Sequence, residues 1–209
     1  MKLAIIGASA GVGLFTTQFA LERGHAVTTL SRRTETLPSH PQLHAVQGSS
    51  TRLDDVRHAI DGADSILVTL GTGSSTKPTT LYTDSARCLL QALEANAAQP
   101  PLIVLTGFGA GDSWDYNSLL MKIFFNLLLK PVYANKTEME KLIVADYPRW
   151  EIVRPGRLTN GPQTGDYRVL NGLTRGMRVG AISRADVAHF MVMQAEHPTC
   201  LGAYPALTR

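Results

Sequence analysis

Two short stretches hold the residue types that could handle a phosphorylated cofactor. The first, Lys2-Leu-Ala-Ile-Ile-Gly7-Ala-Ser9-Ala10-Gly11-Val12-Gly13, is an apolar strand running into a turn of small residues. Gly7 lets the backbone turn sharply, and the small residues Ser9, Ala10 and Gly11 let it approach a ligand closely. From Val12 onward a helix begins, whose N-terminal amides and dipole suit a pyrophosphate. Gly13 leaves that helix room to pack on the strand. The second stretch, His25 to Arg33, is another strand, and it ends Ser31-Arg32-Arg33. A dinucleotide-binding fold meets the adenosine ribose at this place. An acid there would take both ribose hydroxyls and favour NAD; two arginines suit a 2′-phosphate, so the pattern predicts NADP(H).

The elements that must position these residues alternate. Strand-like runs fall at 2–6, 26–31, 43–47, 64–70, 101–106 and 150–154, with a shorter one near 177–182. Helical patterns fall at 11–23, 52–61, 79–97, 117–129, 134–147 and 184–196, the first with an apolar face of Leu14, Phe15, Phe19, Ala20 and Leu21. Asp54 and Asp55 stand in the first turn of their helix, where negative charge suits the dipole. Such βα alternation predicts an α/β fold, a doubly wound parallel sheet with helices on both faces, in one domain over 1–209. Loops at 71–78, 107–112 and 155–162 follow the carboxyl ends of strands, where open α/β sheets bind ligands.

Composition excludes several classes. The chain has 209 residues, 44% hydrophobic, enough for a full core. A net charge of +3 with both signs interspersed gives no basic stripe and predicts no nucleic-acid partner. Cys88 and Cys200 lie far apart, Cys88 on the expected buried face of its helix, and both read as reduced structural thiols. The six histidines lack ligand spacing, so no metal is expected. With Met1 placed directly before the first strand, a cytoplasmic location is the default expectation. The apolar run 119–129 contains Lys122 and Asn126 and is far shorter than the about 20 residues that span a bilayer. Three readings of it stand: internal packing, a homodimer contact, or a wall of the substrate cleft.

The turn Gly7–Gly13, the strand ends Leu70-Gly71-Thr72 and Val104-Leu-Thr106-Gly107, Lys136, and Arg154-Pro155-Gly156 together resemble the short-chain dehydrogenase/reductase superfamily. Pro78-Thr-Thr80, Thr164-Gly165-Asp-Tyr167 and Ile182-Ser183-Arg-Ala-Asp186 are similar to its atypical branch, which holds the flavin reductase (biliverdin reductase B) group and the NmrA-like proteins. The resemblance spans nearly the whole chain. It implies a Rossmann-like domain binding NADP(H) through the turn, Arg32, Arg33, Ser49, Leu70, Gly71, Thr72, Thr106, Gly107, Lys136, Pro155 and Gly156. Three positions depart from the pattern. Ala10 stands where the atypical turn has glycine, with Gly11 restoring the wider superfamily's spacing. Ser49 stands where relatives place an Asp beside the adenine. The superfamily's catalytic Tyr lies four residues before its Lys, and that position is Val132; Tyr133 is one residue off, about 100° around a helix.

Lys136 has two readings, an ammonium that positions the nicotinamide ribose or a solvated helix lysine. Arg154 reads as a strand-end ion-pairing residue. Without a Tyr–Lys proton relay, hydride can still pass to an acceptor whose protonation water completes, such as a flavin or a quinone-like ring. Phe108 and Trp114 are the candidate stacking faces for that ring, or anchors of their own loop. The expectation is an NADPH-dependent reductase of such an acceptor; the alternative is an NADP(H)-sensing regulatory protein of the NmrA-like kind, binding without turnover.

Overall fold

The computed structural model describes residues 1–73, 75–94, 98–116, 122, 129–174 and 176–209. Five parallel pairings build the centre of the sheet: β1 (Lys2–Ile6), β2 (Ala26–Ser31), β3 (Leu43–Gln47), β4 (Ser65–Val68), β5 (Leu102–Leu105) and β6 (Trp150–Pro155) stand in the order β3-β2-β1-β4-β5-β6. Strand order therefore reverses between β1 and β4, the switch point at which such sheets bind nucleotides. Beyond β6 the sheet adds β10 (Ala206–Thr208), parallel to it, and β8 (Arg168–Leu170), antiparallel to β10. A separate parallel pair joins β7 (Arg157–Thr159) to β9 (Ala181–Ser183).

Alternation along each strand supplies two cores. Ala4, Ile6, Ile66, Val68, Leu102, Val104 and Ile152 face α2 (Leu53–Ile60), α3 (Leu81–Leu93) and α4 (Lys130–Asp146). Leu3, Ile5, Leu67, Ile103, Leu105 and Val153 face α1 (Gly11–Glu22) and α5 (Arg184–Glu196). Strands covered on both sides must be apolar at successive positions, which is why β1, β4 and β5 read as unbroken runs. The α/β, doubly wound parallel sheet is as expected from the alternation.

Several boundaries and faces differ from the expectations. Helix α1 buries Val12, Gly13, Thr16, Thr17, Ala20 and Leu21, and Phe15 is 38% exposed. Helix α4 begins at Lys130 with Pro131 in its first turn, four residues before the expected start, so Tyr133 is helical and Lys136 lies past the first turn. Cys88 is half-buried rather than buried, and β7, β8 and β10 lie outside the strand-like runs of the sequence. The expected helix at 117–129, with its apolar run 119–129, lies outside the described residues except for Lys122 and Leu129. Lys122 donates to the Asp115 carbonyl at 3.1 Å. Among the described residues no helix is long and apolar enough to cross a membrane.

Candidate cofactor site

The turn after β1 is built by close backbone approach. Gly7 has φ +94°, and a Cβ there would stand 3.0 Å from Leu70 N and the Thr69 carbonyl. A Cβ on Gly13 would stand 2.2 Å from Gly7 O and 2.5 Å from Thr69 Oγ1. Any side chain at 13 would therefore push α1 off the ends of β1 and β4. Thr69 Oγ1 donates within reach of both Ile6 O and Gly7 O, 3.2 Å to each. Helix α1 begins after Ala10, which offers no side-chain cap, and its first turn holds no acid. Its leading amides are left for an outside acceptor, and the dipole favours an anion there. A dinucleotide's diphosphate fits this cradle: close backbone, donors without a cap, and no opposing carboxylate in the turn.

The loop after β2, where the adenosine is expected, is tied to the same turn. Thr36 Oγ1 donates to the Ser9 carbonyl at 2.6 Å, drawing the loop after β2 onto the glycine-rich segment. Arg32 and Arg33 open that loop, both exposed and neither ion-paired among the described residues. After β3, the Ser49 amide donates to Asp55 Oδ2 at 2.8 Å, and Asp55 comes from the first turn of α2. Asp55 thus does more than answer the helix dipole: its carboxylate also holds the Gly48–Ser49 segment.

At the carboxyl ends of β5 and β6 an ion network sits under Lys136. The Lys136 ammonium donates to the Thr106 carbonyl at 2.6 Å and lies 5.4 Å and 5.0 Å from the ring centres of Tyr82 and Tyr133. Burial pushes this ammonium down to about 8, with the Glu140 carboxylate acting in the opposite direction. One helical turn on, Glu140 Oε1 accepts from the Thr106 hydroxyl at 2.7 Å and Arg154 Nε at 3.2 Å. Its Oε2 accepts from Arg154 Nη2 at 2.7 Å. Arg154 also reaches Asp112 and stacks 4.1 Å from the Tyr204 ring centre. Arg154 is thus an ion-pairing residue, 2% exposed, and Thr106 is fixed at both its carbonyl and its hydroxyl. Burial pushes the Tyr133 phenol up to about 12, with Tyr82 adding to the effect. The Tyr82 hydroxyl is hydrogen-bonded at Thr72, in the loop after β4.

The remaining candidates ring the same edge. Leu70 packs against the core, Gly71 is exposed, and Thr72 Oγ1 donates to the Ser75 carbonyl at 3.0 Å. Strand β6 passes through Pro155, whose carbonyl accepts from Phe108 N, and Gly156 N donates to Leu207 O. A Cβ on Gly156 would stand 2.1 Å from Gly180 O, so glycine here lets β7 lie against the chain before β9. Phe108 is 7% exposed and presents little area, whereas Trp114, on a 3-10 helix (Gly111–Tyr116), is half-buried. That short helix is pinned by Gly109 N to Ser113 Oγ at 2.8 Å and Gly111 N to Thr137 Oγ1 at 2.9 Å.

Opposite, Asp186 gathers the segment after β7: Oδ1 accepts from Thr164 N and Gly165 N, and Oδ2 from the Ser183 and Thr164 hydroxyls. Burial alone would raise this carboxyl, yet those donors outweigh it and hold it below its ordinary range. Sequence reading missed Glu140, Tyr82 and Arg184 as parts of this edge. The signals available were the i, i+4 spacing of Lys136 and Glu140 and the Ser183-Arg-Ala-Asp186 run.

The family model described as NAD(P)H-binding matches residues 7–198. A Bacillus subtilis protein named as an uncharacterized sugar epimerase is 28% identical over 202 residues, covering 92% of this chain and 86% of its own. Among solved structures, the anaerobilin reductase ChuY from Escherichia coli O157:H7 superposes with a TM-score of 0.78 at 24% identity, covering 100% of this chain and 97% of its own. A short-chain dehydrogenase/reductase from Veillonella parvula in complex with NADP gives 0.82 at 16% identity, covering 100% and 94%. A putative NADH-flavin reductase from Streptococcus pneumoniae gives 0.79 at 21% identity, covering 100% and 99%. With the match running from the first turn glycine to the last helix, this chain belongs to the NAD(P)H-binding family and has its Rossmann-like fold.

Proposed function

We propose that the protein is an NADPH-dependent oxidoreductase that passes hydride to a flavin or quinone-like acceptor without a Tyr–Lys proton relay. The observation that carries this reading is the setting of Lys136: its ammonium is committed to the Thr106 carbonyl and to the faces of two tyrosine rings. A relay needs the ammonium to ease the proton off a phenol; here it donates to the Thr106 carbonyl instead, while burial raises the Tyr133 phenol, whose oxygen lies beside Gly107. An acceptor that draws its proton from water suits such a site. When bound, NADPH supplies the hydride. The amides of Gly7–Gly13 take the diphosphate, and Arg32 and Arg33 take the 2′-phosphate. Lys136, held over Thr106 and Gly107, positions the nicotinamide ribose, with Leu70–Thr72 and Pro155–Gly156 along the same edge. The acceptor ring lies between the loops at 71–78 and 107–116 and the segment after Pro155, with Trp114 as its stacking face. Two of the fold's neighbours are named as an anaerobilin reductase and a putative NADH-flavin reductase, in keeping with a conjugated acceptor.

Steady-state oxidation of NADPH and NADH with riboflavin, FMN and a soluble quinone tests the reading. The expected result is turnover with NADPH preferred. Tight NADP binding with no turnover on any of these acceptors would overturn it in favour of nucleotide sensing.

A further inference from the structure

The run Ser183-Arg-Ala-Asp186 opens α5. Ser183 caps the helix by accepting from Asp186 N at 2.9 Å, and Asp186 gathers Thr164 and Gly165. Arg184 has no part in either task. Its side chain instead crosses to α1: Nε and Cδ lie 3.8 Å and 4.0 Å from where a Cβ on Gly11 would stand. Gly11 is the first residue of α1, so Nε lies beside the start of the helix whose leading amides have no side-chain cap. Nη1 donates to Asn160 Oδ1 at 2.7 Å. That is its one hydrogen bond among the described residues, and no carboxylate pairs with it there. Nε and Nη2 keep donors in hand, since a guanidinium offers five in a rigid fork.

We infer that Arg184 is a cationic ligand of the cofactor's diphosphate, aimed by Asn160. The inference rests on the cofactor reading above and adds to it a residue far from the turn in sequence. The glycine-rich turn by itself answers the diphosphate with amide donors and a partial helix charge of about half a unit. Arg184 brings a full charge to the same place from the opposite helix. The division of labour then follows: Arg32 and Arg33 read the 2′-phosphate, which distinguishes the two dinucleotides, and Arg184 reads the diphosphate, which both share. Because Asn160 belongs to the segment that Asp186 holds at Thr164 and Gly165, the arginine also joins the diphosphate to the chain that flanks the acceptor.

Calorimetric titration of NADP⁺, NAD⁺ and adenosine 2′-monophosphate into wild type, Arg184→Gln, Arg184→Lys and Arg32→Ala separates these roles. Arg184→Gln should weaken NADP⁺ and NAD⁺ by the same factor, roughly ten- to hundredfold as for a charge-assisted hydrogen bond, and leave the monophosphate within twofold. Arg184→Lys should recover part of the loss. Arg32→Ala should weaken NADP⁺ and the monophosphate and spare NAD⁺. If Arg184→Gln binds both dinucleotides as wild type does, or weakens the monophosphate equally, Arg184 is only a strut for Asn160. If wild type binds neither dinucleotide, the cofactor reading falls and this inference falls with it. Thermal unfolding of each variant shows whether a loss of affinity is a loss of fold.

Discussion

Replacing Glu151 with Gln should flatten the alkaline side of the protein's stability curve. Glu151 sits in β6 opposite Ile103 of β5, fully buried, and both its carboxyl oxygens are without a hydrogen-bond partner among the described residues. Burial pushes the carboxyl up to about 8 from 4.5, and the neighbouring Cys200 thiol is raised as well, by its own burial first and by Glu151 in part. The folded state therefore holds this proton more tightly than the unfolded chain does. Its contribution to stability is complete below pH 4.5 and declines as pH rises toward 8. At about 1.36 kcal/mol per pH unit the full loss is about 5 kcal/mol, of which about 3 kcal/mol is already gone at pH 7. That is a large part of the 5–15 kcal/mol typical of a domain. Gln cannot titrate, and its buried amide costs roughly 1–3 kcal/mol at every pH. Urea unfolding of wild type and Glu151→Gln at pH 5, 7 and 9 should give curves that cross between about pH 5 and 7, the variant being less stable at pH 5 and more stable at pH 9. Glu196 works at the other end: hydrogen bonds from Arg23 above all, and from His25, pull its carboxyl down to about 2. Its contribution is lost only as pH falls from 4.5 toward 2, outside the Glu151 window. A wild-type-minus-variant difference that stays constant from pH 5 to 9 would refute the placement of a protonated carboxyl in β6.

Three further changes probe the site. Glu140→Gln leaves the buried Arg154 guanidinium with the exposed Asp112 as its remaining carboxylate, and calorimetry should record a loss of about 3 kcal/mol, as for a broken buried ion pair; a loss below about 1 kcal/mol would show that solvent reaches Arg154. Tyr133→Phe should leave riboflavin or quinone reduction within a few-fold of wild type, whereas a drop of about 10³ would identify the phenol as the proton donor. Trp114→Ala should raise the apparent KM for a flavin far more than that for NADPH, and if both constants hold while Tm falls, the indole is an anchor of the 3-10 helix.

What could be read in the sequence was what a few adjacent residues decide. The turn from Gly7 to Gly13 and the run ending Ser31-Arg32-Arg33 state their geometry locally, and the unbroken apolar runs of β1, β4 and β5 state that the sheet is covered on both faces. Helix α1 shows where such reading stops. Thr16 and Thr17 lie on its buried face because their hydroxyls donate to the carbonyls of Val12 and Gly13, one turn back, so a polar residue packs as an apolar one. A scale that counts Thr as polar and Phe as buried turns the helix the wrong way, toward Phe15. Strands β8 and β10, of three residues each, are too short to show alternation.

The edge that holds Lys136 was illegible for a different reason. Asp112, Glu140 and Arg154 belong to three separate elements and meet only because β5 and β6 are neighbours in the sheet. Nothing in the spacing of an isolated Asp, Glu and Arg announces such a network. Its consequence for Lys136 is nevertheless direct. With Glu140 fixed by Arg154, the Thr106 hydroxyl is held, and with the Thr106 carbonyl taken by Lys136, the ammonium is held too. The residue that the superfamily pattern singles out is therefore positioned by residues that the pattern does not mention, and the chemistry open to it follows from that position rather than from its place in the motif.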